Sequence, residues 1–180
     1  LGKNDNTEAF YRLSQMISFN KNKVKVLDIG CGNGGFVYFL YKLGYKHILG
    51  IDPFIANKDW NQTVKLEKKT VHNLNDTFDL IVSNHSLEHV PDIVNDFKQI
   101  SLLLNDGGIF FLRLPIVGLG YDIYKENWVQ IDAPRHITIP SLDALKQICE
   151  KMNLSIVEYF YDTTELLFKG SELYQKGLSL

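Results

Sequence analysis

Two cysteines in 180 residues give no basis for a disulfide framework. Cys31 falls inside a glycine-rich turn and Cys149 inside an expected helix, so a reducing, cytoplasmic setting is the expectation. Grouped basic charge is missing as well. Nineteen Lys and Arg stand against 21 Asp and Glu, for a net charge of −2, with no basic stripe. A general nucleic-acid binder meets phosphates with clustered cations, so the expected partner is a small-molecule acceptor and not nucleic acid. No apolar run approaches the roughly 20 residues that a membrane span needs. No signal peptide is visible in residues 1–180, and none of the sequence reads as a repeat or low-complexity segment. The chain begins at Leu1 and not at Met, which leaves open a fragment or trimmed chain and the loss of a targeting segment. Its oligomeric state is left open.

What is present is the material of a packed core. Hydrophobic residues make up 45% of the chain and aromatics 12%, and the length suits a single domain over residues 1–180. The pattern alternates strand and helix. Phe10, Leu13, Met16 and Ile17 share a helical face within residues 1–22, with Thr7 as cap. Strand Val24–Ile29, helix Gly34–Leu43 and strand His47–Ile51 follow, then a weaker strand near Val64–Thr70. "FDLIVS" (Phe78–Ser83) is an apolar run of strand length. Pro91–Leu104 is an expected helix, Gly108–Leu114 a strand, and Ser141–Met152 a helix capped by Ser141. "LSIVEYF" (Leu154–Phe160) and "ELLFKG" (Glu165–Gly170) read as closing strands. Their link is too short for a helical crossover, so they should pair antiparallel. The predicted fold is α/β: a doubly wound, Rossmann-like, mostly parallel seven-stranded sheet with an antiparallel C-terminal strand and helices on both faces.

In such a sheet a ligand sits beyond the carboxyl ends of the strands. "VLDIGCGNGG" (Val26–Gly35) occupies that place, between the first strand and the first helix of the alternation. Its glycines let a ligand approach the backbone and aim a helix N-terminus at it. The bland alternative is a tight turn with no ligand, with Asp28 merely capping it. Gly30, Gly32 and Gly35 also satisfy G-x-G-x-x-G with Asp52 about twenty residues on, which fits a nicotinamide-dinucleotide site. Asp28 weighs against that, because a carboxylate at the strand's end repels a pyrophosphate and attracts a cation. No Y-x-x-x-K pattern stands where a reductase would use it.

"VLDIGCGNG" closely resembles the first motif of class I S-adenosylmethionine-dependent methyltransferases, and "GIDP" (Gly50–Pro53) their second, whose acid binds the ribose hydroxyls. "FDLIVSNHSLEHVPD" (Phe78–Asp92) and "LLLNDGGIFFLRLP" (Leu102–Pro115) are similar to later segments of that family. "QIDAPRHITIPSLDALKQICEKMNLSIVEY" (Gln130–Tyr159) is similar to a bacterial subgroup that modifies sugars, polyketides or quinone precursors. The resemblance implies methyl transfer from S-adenosylmethionine to a small molecule, such as a sugar or nucleotide-sugar of surface-polysaccharide synthesis. A non-catalytic cofactor-binding domain of a larger biosynthetic protein and a nicotinamide-dependent reductase are the alternatives. It assigns the cofactor to Asp28, Gly30, Cys31, Gly32, Gly34, Asp52, Pro53, Ser83 and Asn84, with the N-terminal helix as a cover that turns Phe10 or Tyr11 inward. An oxygen acceptor needs a base. His85 is the first candidate and His136 the second, since an unperturbed imidazole titrates near neutrality. His85, Glu88 and His89 stand at i, i+3, i+4. They suit a metal, a base or a purely structural role, and no metal is assigned. The irregular segment 115–140 carries Tyr121, Tyr124, Trp128 and Arg135. These residues suit an acceptor wall or a surface excursion whose rings pack back on the domain.

Overall fold

A computed structural model of the chain describes Leu13 and residues 20–178. The N-terminal helix with its inward Phe10 or Tyr11 lies outside the described residues. Leu13 is the exception, helical and buried. β1 (Lys25–Ile29), β2 (His47–Ile51), β3 (Lys58–Asp59), β4 (Val64–Glu67), β5 (Phe78–Asn84) and β6 (Leu104–Arg113) form one sheet in the order β3-β4-β2-β1-β5-β6. All neighbours are parallel except β3 and β4. β1, β2 and β5 read as largely apolar runs because both of their faces are covered. Alternate residues enter two cores. Val26, Leu80 and Val82 meet Val37 and Leu40 of α1 (Gly35–Lys42) on one face. Leu27, Ile29 and Ile81 meet Phe97, Ile100 and Leu103 of α2 (Ile93–Leu103) and Leu145 of α4 (Leu142–Lys151) on the other.

Caps fix where two of these helices start. Asp92 accepts the Asn95 amide at 3.0 Å and Ser141 accepts the Ala144 amide at 3.1 Å. The expected start at Pro91 therefore moves two residues, since Asp92 takes the cap position. No helix of the described residues is long and apolar enough to cross a membrane.

Four expectations change. Among the described residues the sheet has six strands, and its antiparallel pair is β3 with β4, not a pair of C-terminal strands. Residues 154–163 form no strand and run past β6, where the Arg113 guanidinium pairs with Asp162. Glu165–Gln175 is a helix, α5, and among the described residues no strand follows β6. Leu167, Phe168 and Ser171 lie on its less exposed side, a helical spacing that a six-residue window hides. Glu165 and Lys169, one turn apart at 2.8 Å, line its outer side. Segment 115–140 is also more regular than expected. It holds α3 (Leu119–Tyr124) and two 3₁₀ turns, Lys125–Asn127 and Val129–Ile131. Its ends are joined by a bridge between Val117 and Ser141.

Candidate active site

Strands β1, β2, β5 and β6 end at one rim, and the residues singled out in the sequence gather there. Asp28 is the fourth residue of β1 and is 3% exposed. Its Oδ2 has no hydrogen-bond partner. Burial first, and the neighbouring Asp52 second, push its carboxyl up to about 8. Asp52 follows β2. Its Oδ2 accepts the Gly32 amide at 3.2 Å and its Oδ1 the Phe54 amide at 2.8 Å. Pro53 helps hold it extended.

The glycine turn differs from its expected use. Its amides are largely consumed by the protein. Gly30 and Cys31 both donate to the Ile51 carbonyl, at 2.8 and 3.1 Å, and Gly34 donates to Cys31 at 2.9 Å. With Gly32 bound to Asp52, these four amides are turned inward, so the turn stitches β1 to β2. What it offers outward is space. A Cβ on Gly32 or Gly35 would meet nothing within 4 Å, whereas one on Gly30 would stand 2.3 Å from Ser86 Oγ and one on Gly34 2.6 Å from Leu66. Gly30, Gly32 and Gly34 all have positive φ. Cys31 is buried with its thiol pushed up to about 12, chiefly by burial, so it lines the turn as an inert group.

At the tip of β5, Ser83 is fully buried and its Oγ has no partner. It stands opposite Ile29 in the β1–β5 register. The Asn84 carboxamide oxygen accepts from the Arg113 guanidinium at 3.4 Å. His85 has a left-handed backbone, φ 53, and donates its amide to the Arg113 carbonyl at 2.8 Å. Its ring is 40% exposed, with Nδ1 3.3 Å from Oε1 of the fully buried Glu88. The other oxygen of Glu88 has no partner. So all three buried side-chain atoms without a partner among the described residues, on Asp28, Ser83 and Glu88, lie at this rim.

Segment 115–140 closes over the β5 side. Ile137 and Thr138 donate their amides to the Glu88 carbonyl at 2.8 and 3.2 Å. His136 is nearly buried behind Glu88, its Nε2 3.9 Å from Oε1 and its Nδ1 2.6 Å from the Gln130 carbonyl. It therefore stands behind the rim and not beside His85 as a second base. Tyr124 and Trp128 stack at 5.9 Å and both pack on Phe168 of α5. Of the two readings of these rings, the structure shows the one in which they pack back on the domain, with their faces turned to one another. Trp128 contributes only a small exposed part to a cavity of about 1090 Å³, which also reaches His85, Arg113 and Gln130 and runs along β6. Tyr121 is partly exposed under Lys125. Arg135 is exposed and pairs with Asp132 at 2.5 Å. Sequence reasoning passed over Arg113, although a lone cation ending the apolar run "IFFLR" was a visible signal. It also missed the meeting of Glu88 with His136, which spacing along the chain cannot reveal.

A family profile described as a methyltransferase domain matches residues 3–159. A tRNA U34 carboxymethyltransferase of Campylobacter fetus is 27% identical over 80% of this chain and 56% of its own length. A ubiquinone biosynthesis O-methyltransferase of Colwellia psychrerythraea is 30% identical over 49% of this chain and 40% of its own. The chain spans about half the length of the curated relatives it matches. Among solved structures, magnesium protoporphyrin IX methyltransferase of Synechocystis with bound S-adenosylhomocysteine superposes with a TM-score of 0.67 at 15% identity, over 89% of this chain and 76% of that one. An S-adenosylmethionine-dependent methyltransferase of Mesorhizobium loti gives 0.62 at 19%, over 96% and 94%. The family match decides between the two cofactors that glycine spacing leaves open. The relatives named for tRNA overturn the expectation of no nucleic-acid partner. That expectation leaned on a net charge of −2, an average that does not report how one reacting base would be gripped.

Proposed function

The chain belongs to the S-adenosylmethionine-dependent methyltransferases, and we propose that the rim divides the reaction between a cofactor half at β1 and β2 and an acceptor half at β5 and β6. The observation that carries this reading is the gathering there of unpartnered buried atoms on Asp28, Ser83 and Glu88. Buried polar atoms are otherwise satisfied, so a group of orphans marks where a ligand supplies the missing partner. The cofactor supplies an activated methyl group on a sulfonium sulfur. Asp28 Oδ2 suits its ammonium, which would favour the ionised carboxyl that burial disfavours. Asp52 keeps a further lone pair on each oxygen for ribose hydroxyls, and the open side of Gly32 leaves room for the ligand beside it. Ser83 and Asn84 border the same space from β5, and Pro53 braces Asp52.

The acceptor half admits a hydroxyl-bearing ring to the cavity that His85 lines. Glu88, held by its burial, receives His85 Nδ1–H and leaves Nε2 to take the acceptor's proton as its oxygen is methylated. Both oxygen acceptors and tRNA stand in the names of relatives, so the ring is either free or borne on a tRNA. Turnover assays with S-adenosylmethionine against unmodified tRNA, small phenols and nucleotide-sugars test this. Methylation of an oxygen in one class is the expected result. Carbon or nitrogen methylation would remove the need for His85 as base.

A further inference from the structure

The structure assigns a divalent-cation site to Glu88, His89 and His136. One ligand atom from each lies within 4.8 Å of the other two. The set joins two distant parts of the chain, the 3₁₀ turn Leu87–His89 after β5 and the segment that closes over it. It differs from the set that sequence spacing suggests, because His85 turns instead to Glu88 as a hydrogen-bonding ring.

Three observations fit a cation. First, both histidines are oriented through the nitrogen that a metal would not use. His89 Nδ1 lies 2.9 Å from the Arg135 carbonyl and His136 Nδ1 2.6 Å from the Gln130 carbonyl. A carbonyl only accepts, so each Nδ1 carries a proton, which leaves Nε2 as the atom that would face a metal. Backbone carbonyls fix metal-binding imidazoles in this way. Second, Glu88 is fully buried, and its Oε2 has no partner while Oε1 serves His85. A buried carboxylate with one oxygen unanswered needs a positive charge beside it. Third, the cationic side chain next to His136 in the chain is already engaged, since Arg135 pairs with Asp132.

Two imidazoles and one carboxylate suit a first-row divalent ion, zinc foremost, with a fourth position left open. The ion would pin Gln130–Thr138 to the turn that carries Glu88, adding to the two backbone bonds already made to the Glu88 carbonyl. The proposal shares Glu88 with the methyl-transfer reading, which uses its Oε1 toward His85, and its test therefore reads zinc content and melting temperature and not turnover.

The experiment is zinc binding to the full chain after chelation and dialysis, read by elemental analysis and by melting temperature with and without zinc. One zinc per chain and a higher melting temperature are expected. His89→Ala changes an exposed residue, so its fold is safe; it should weaken zinc binding at least about tenfold. His136→Ala should do the same. His72→Ala, at an exposed pair with Asp96 remote in sequence from the set, should bind like the parent chain. Less than one zinc in ten chains, or unchanged binding by both His89→Ala and His136→Ala, overturns the site.

Discussion

The two halves of the rim are built differently. At β1 and β2 the bonds are short in sequence and close within the sheet. Gly30 and Cys31 reach the Ile51 carbonyl and Gly32 reaches Asp52, all within about one strand–helix–strand unit. At β5 and β6 the same rim depends on distant parts of the chain. Glu88 is held by Ile137 and Thr138, His89 by Arg135, and Arg113 by Asp162. A rigid, locally specified half suits a ligand that never changes. A half assembled from remote segments can be altered by changing one segment while the sheet stays intact. Loops on a fixed scaffold carry specificity for this reason.

Substitutions can break that comparison, beginning with the largest effect. His85→Gln should lower the methylation rate by at least ~100-fold, the lower end for a general base, with cofactor affinity nearly unchanged. Single-turnover rates beside calorimetry check both. Equal losses in rate and affinity would mean that the halves are not separable. Asp52→Ala should weaken S-adenosylmethionine binding by ~1.5–3 kcal/mol, the range for hydrogen bonds to a charged group, and leave the acceptor's KM unaltered. Unchanged affinity in a folded variant would remove Asp52 from the cofactor half.

Asp28→Asn probes the same half through stability. Its carboxyl rises from 3.8 to about 8 in the folded chain. Between those values the native state holds a proton that the unfolded state releases, so stability falls as pH rises from about 4 to about 8 and then levels. Without its carboxyl the variant lacks this fall. At pH 8 it should melt above the parent, by roughly 2–4 °C per kcal/mol recovered, while binding the cofactor more weakly. Melting curves across pH decide it, and a parent whose stability is flat over that range would refute the burial argument. Arg135→Ala should do least. Its pair with Asp132 is mostly exposed, and such pairs contribute about 0.2–1 kcal/mol. A melting temperature lowered by more than a few degrees would show that the acceptor half is braced there after all.

Legibility in the sequence follows the same division. Strands β1, β2 and β5, the turn and Asp52 were readable because apolar runs, glycines and an acid before proline are local signals. The direction of the amides was not readable, since the Ile51 carbonyl that consumes two of them belongs to a neighbouring strand. Nor was the burial of Tyr124 and Trp128, whose partner Phe168 lies in a helix that short-window alternation disguised as a strand. His136 looked like a free base because nothing near it in sequence announces Glu88.

One backbone angle has an engineering consequence. His85 holds φ 53, a conformation that Asn adopts more readily than most side chains and Gly at no steric cost. Consensus-style stabilisation would therefore favour Asn or Gly here, and each would delete the ring that faces the cavity. Thermal robustness and turnover pull against each other at this position. A library selected for heat resistance alone should drift away from His85, whereas one selected for methylation should keep it and recover its stability elsewhere.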